Sequence, residues 1–96
     1  MNQQFKVNGL DIEVKYTEPG SWTENGMGRC QYMQAEIQVR AGMPDRVRGQ
    51  ILIHELVHMI LDMHSIELPE QTVCVIANSF YSLLVDNPDE IQQLIR

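Results

Sequence analysis

The sequence predicts an α+β domain: a small antiparallel sheet of three or four strands packed on a long helix, with a second, C-terminal helix beside it. Three observations lead to this class. Apolar residues alternate with polar ones up to about residue 42 and recur at helical spacing after it. An Asn8-Gly9 pair separates the first two alternating runs. Pro44 and Pro69 each stand at the head of a helical run. The 96 residues suit one domain, since single domains commonly run to about 100–150 residues. It divides into a β-rich part over 1–42 and a helical part over 43–96.

The elements follow in order. Strands are expected at 3–7 and 10–16, joined by a two-residue hairpin at Asn8-Gly9, where both turn positions need positive φ. Alternation through Leu10, Ile12, Val14 and Tyr16 puts these side chains on one face. An irregular loop rich in Gly, carrying Pro19 and Trp22, leads to a second hairpin over 29–40, with a turn near Gln34-Ala35 and Ile37 and Val39 facing the same way. The central helix spans 44–63, with Val47, Ile51, Leu52, Leu56, Ile60 and Met63 at helical spacing and Asp45 at its positive end. Ile53, Val57 and Leu61 add apolar surface on its other faces. The second helix spans 69–85 with Val73, Ile76, Ala77, Phe80, Leu83 and Leu84 as its apolar face, until Asp86-Asn87-Pro88 breaks it. A last short helix over 89–96 turns Ile91, Leu94 and Ile95 inward.

Composition excludes several functions. A net charge of −6 with seven Lys and Arg argues against nucleic acid, whose phosphates need clustered basic residues, and against attachment to anionic lipid. The longest apolar stretch, 51–61, is broken by His54, Glu55 and His58 and is too short to span a bilayer. The N-terminus is polar with no apolar core of a signal peptide. A cytoplasmic protein is expected, with Cys30 and Cys74 as free thiols.

The segment that carries chemistry is His54-Glu55-Leu56-Val57-His58. Two histidines four residues apart on a helix project about 40° apart, close enough for both imidazoles to hold one ion. Glu55, next to them, reaches a water on that ion rather than the ion itself. Such a water, of lowered pKa and oriented by a carboxylate, attacks amides at neutral pH. The spacing is what zinc-dependent peptide hydrolysis requires.

A zinc site needs a third protein ligand, and three residues are candidates. His64 lies ten residues after His54, the spacing of a third histidine in metzincins. A helix continuing through Leu61, where metzincins have Gly, points His64 away from the other two, and the simpler role is an exposed histidine at a helix end. Glu70 and Cys74 stand one turn apart on the second helix. Glu70 has the customary ligand chemistry and also suits the positive end of the helix. Cys74 offers a thiolate, or packs as a small apolar residue. The residues alone leave these two even.

His54-Glu55-Leu56-Val57-His58, then Leu68-Pro69-Glu70-Gln71 and Val73, then Ala77-Asn78 with Tyr81, Leu84 and Asp86-Asn87-Pro88, resembles the small phage- and prophage-type zincins related to the ImmA/IrrE-like metallopeptidases. The resemblance covers residues 46–89, about half the chain. It implies a minimal zincin-like domain and a zinc metallopeptidase with Glu55 as general base. In that family the third ligand is a Glu three residues before the Ala of the Ala-Asn pair, and Cys74 occupies that place here. The resemblance therefore implies zinc on His54, His58 and Cys74, with Asn78 orienting a ligand histidine. Thiolate in place of carboxylate weakens the metal as a Lewis acid. Asp62 is a candidate to orient an imidazole or a plain surface carboxylate, Tyr81 a candidate oxyanion donor or a core residue, and Trp22 a cleft residue or a cap on the core.

Two functions are expected to compete. The first is zinc-dependent hydrolysis of a peptide or protein substrate, an extended segment lying against a sheet edge near 36–39. The second is a non-catalytic, zinc-stabilised module that binds a partner protein, with Glu70 or His64 closing the fourth metal position. A homodimer, or a phage or host protein, is the expected partner.

Overall fold

The computed structural model describes residues 2–18 and 26–96; Trp22 and most of its loop lie outside them. Its elements are strands β1 (Asn2–Val7), β2 (Leu10–Thr17), β3 (Gly28–Gln31) and β4 (Glu36–Arg40), then helices α1 (Asp45–Met63), α2 (Glu70–Asp86) and α3 (Pro88–Leu94). A single 3-10 turn over Tyr32–Gln34 joins β3 to β4, and Ala35 closes it in the left-handed region at φ 50°. Each boundary falls within a few residues of the sequence expectation.

The first hairpin forms as its turn dictates. Asn8 and Gly9 take φ of 52° and 82°, and β1 pairs antiparallel with β2 from Val7↔Leu10 to Asn2↔Lys15. β3 and β4 also pair antiparallel. The two hairpins do not continue as a meander. The sheet order is β1-β2-β4-β3, and β2 runs parallel to β4 with Val14 opposite Ile37 and Tyr16 opposite Val39. The sheet is therefore mixed, which corrects the antiparallel expectation. Burial explains the order. β4 carries two residues with no exposed surface, Ile37 and Val39, whereas all four residues of β3 are half-buried. The more apolar strand takes the interior and β3 takes the edge. The edge strand expected near 36–39 is thus internal, and the edge that reaches the cleft is β3.

The core lies between this sheet and α1. Ile12, Val14, Ile37, Val39 and Met59 are fully buried and pack with Leu52 in one cluster, and each such side chain stabilises the fold by roughly 1.5–3 kcal/mol before entropy is counted. The opposite face of the sheet is polar, with Lys15 paired to Glu36 at 2.8 Å and Arg29 donating to Gln38 at 2.5 Å. The bond from Tyr16 to Gln3 ties β1 to β2.

Helix α1 starts after Pro44, with Asp45 in its first turn bound to Arg48 at 2.9 Å. One side of it meets β3 and β4 and another meets α2. At the α1–α2 contact, a Cβ on Gly49 would lie 2.8 Å from Tyr81 Cε1, so the missing side chain lets the helices approach. Tyr81 is a packing residue at that contact. Only Val73 and Ala77 of α2 are buried. Phe80, Leu83 and Leu84, expected on the apolar face of this helix, are 53, 47 and 38% exposed, and Leu94 and Ile95, expected inward, are 82 and 74% exposed. The reason is geometric: α2 packs mainly on α1, and one helix neighbour covers only a narrow stripe. Among the described residues, no helix is long and apolar enough to cross a membrane.

Candidate metal centre

Two successive turns of α1 carry His54 and His58, whose rings stand edge to face with centroids 4.9 Å apart. This is the outcome that four-residue helical spacing demands. The chain then leaves α1 through His64, at its C-terminal cap, and Ser65 in the left-handed region at φ 55°. The Ile66 amide bonds back to the Leu61 carbonyl at 2.9 Å. Pro69 stops the extended linker and opens α2. That path places the first residue of α2, Glu70, against both histidines. Its Oε1 lies 2.7 Å from His54 Nε2 and its Oε2 3.1 Å from His58 Nε2.

One ligand atom from each of His54, His58 and Glu70 falls within 4.8 Å of the others, so the three side chains could hold one ion. Cys74 lies outside this group. Its Sγ is one helical turn away, 3.8 Å from Glu70 Oε1. In the structure Glu70, rather than Cys74, stands directly against the histidines. Nor is His64 part of the group. Asp62 does not turn to the imidazoles, and its Oδ2 lies 4.0 Å from Cys30 Sγ on β3. Burial and the nearby Asp62 and Glu55 carboxylates push the Cys30 thiol up to about 12, which keeps it protonated and unreactive. Both cysteines are free thiols.

Among the described residues Glu55 is the buried acidic one, 8% exposed. Burial pushes its carboxyl up to about 7, with His58 pulling it down and Glu70 adding to the rise. It opens onto a cleft of about 340 Å³ lined also by His54, Glu70, Asn78, Gln50, Ile51, Met27 and Gly28. Asn78, singled out in the sequence, thus joins the cleft from α2. Met27, Gly28 and Gln50 were not singled out. Their part depends on β3 folding against α1, and nothing in their local sequence announces it. Two imidazoles and a carboxylate are donors that one metal ion could share, and the Glu55 carboxyl lines the same cleft. No family model matches the chain, and no curated protein and no solved structure matches it.

Proposed function

We propose that this chain is a zinc-dependent metallopeptidase that holds its metal on His54, His58 and Glu70. The observation that carries this reading is the convergence of those three donors within 4.8 Å, in the same cleft as the buried Glu55 carboxyl. Bound there, zinc supplies a Lewis acid and a water acidic enough to ionise near neutral pH.

The chain's own residues do the rest. His54 and His58 orient the site from the rigid central helix, while Glu70 completes it from α2. Glu55, whose carboxyl opens onto the same cleft, takes a proton from the attacking water and delivers it to the departing amine. Among the described residues β3 pairs with β4 alone, and its other side would offer main-chain groups to an extended peptide beside the cleft. Asn78 and Gln50 line the same cleft and offer amides to a peptide backbone.

Zinc per chain, measured on the parent, Glu70→Gln and Cys74→Ser, tests the ligand set. Near-stoichiometric zinc in the parent and in Cys74→Ser, lost in Glu70→Gln, is expected. Hydrolysis of an unfolded protein substrate should then disappear in Glu55→Gln while zinc stays bound. A parent that takes up no zinc when it is added sinks the reading. Zinc without hydrolysis makes the chain a zinc-stabilised binding module instead.

A further inference from the structure

Gly28 begins β3 where the sheet edge meets the cleft. A Cβ built on it would lie 2.6 Å from Ile51 Cγ2, 3.1 Å from Glu55 Cγ and 3.2 Å from Glu55 Oε2. Carbon atoms in a packed interior sit about 3.5–4.0 Å apart, so the space for a side chain does not exist. The strand backbone itself is packed against the side of Glu55. A glycine within a strand often marks such a close approach.

The neighbours differ in how they can respond to an added methyl. Ile51 is β-branched and held in a preferred rotamer on its helix, so its γ2 methyl yields only if strand and helix separate. The Glu55 carboxyl is the end of a flexible arm and yields by rotating away. An added methyl at position 28 is therefore expected to cost the orientation of Glu55 as well as packing.

We propose that Gly28 is the positioning residue for Glu55: the bare backbone at the start of β3 is the wall that confines the Glu55 side chain to one orientation facing the cleft. The catalytic consequence rests on Glu55 being the general base, but the confinement does not. Gly49 provides the contrast. It too sits under a close neighbour, Tyr81, in a contact between helices that does not touch Glu55.

The test is made first on the metal-free protein, by three-bond NMR couplings across the Glu55 side chain, with thermal unfolding measured alongside. One rotamer is expected in the parent, and its loss, by a switch to another rotamer or by averaging, in Gly28→Ala. Gly28→Ala/Ile51→Ala removes the tightest clash and should regain stability while Glu55 stays out of its parent rotamer. Gly49→Ala should lose stability and keep a single Glu55 rotamer. The parent rotamer surviving in Gly28→Ala, or restored in the double variant, overturns the proposal, as does averaging in the parent. In the zinc-loaded protein, Gly28→Ala should lower kcat by roughly 100-fold with little change in KM, the scale of a misplaced catalytic group. A parent with no hydrolysis would refute the peptidase reading alone, because the couplings judge the positioning separately.

Discussion

The two sides of α1 are built differently. On one side the sheet contributes Ile12, Val14, Ile37 and Val39, all fully buried. On the other, α2 contributes Val73 and Ala77 while Phe80, Leu83 and Leu84 stay exposed. The candidate metal centre straddles this divide: His54, His58 and Glu55 stand on the firmly packed helix, and Glu70 comes from the lightly packed one. The stability of the fold therefore resides in the sheet–α1 half, and a metal ion would act as a clasp for the α2 half.

The strongest way to break this comparison is in the core. Ile37→Ala or Met59→Ala should cost about 2–5 kcal/mol, seen as a large drop in the urea midpoint. A loss of that size rivals the total stability of a small domain. Zinc comes next. At a thousandfold excess over its dissociation constant a ligand stabilises the native state by about 4 kcal/mol. Hydrogen exchange should place that gain in α2, whose amides slow on zinc addition in the parent and not in Glu70→Gln.

A somewhat smaller effect concerns pH. Glu55 holds its proton more tightly folded, at about 7, than at its ordinary value of 4.5. Its contribution to metal-free stability is thus fully present below pH 4.5 and is lost as pH rises to about 7, a change of roughly 3 kcal/mol. Glu55→Gln should flatten that slope in urea titrations at stepped pH. Smallest of all, Phe80→Ala or Leu83→Ala should change stability by less than about 1 kcal/mol, because a half-exposed side chain has little burial to lose. A large loss at either position would mean that the outer face of α2 is covered.

The sequence disclosed what depends on near neighbours. Asn8-Gly9 announced its hairpin, Pro44 and Pro69 their helices, and the spacing of His54 and His58 their shared face. What it hid depends on distant pairing. β3 and β4 read as a hairpin either way round, and only the burial of Ile37 and Val39 against α1 decides which strand is inside. The residue that joins the two histidines was hidden for a similar reason. Glu70 and Cys74 share one helical face, and the choice between them turns on the gap between α1 and α2, which no local pattern encodes. The exposed face of α2 misled because apolar periodicity reports a helix, not the number of its neighbours.

The parallel pairing of β2 with β4 also bears on how fast the chain folds. Each hairpin closes over a short loop, and each helix forms from local contacts. The centre of the sheet, where Val14 meets Ile37 and Tyr16 meets Val39, must wait until residues far apart in sequence are drawn together, at an entropic cost that short-range contacts do not carry. Docking of one hairpin beside the other is then the slow event. Truncating Val14 or Ile37 should slow refolding, whereas truncating Val73 should mainly speed unfolding, a division that the two arms of a urea chevron would display directly.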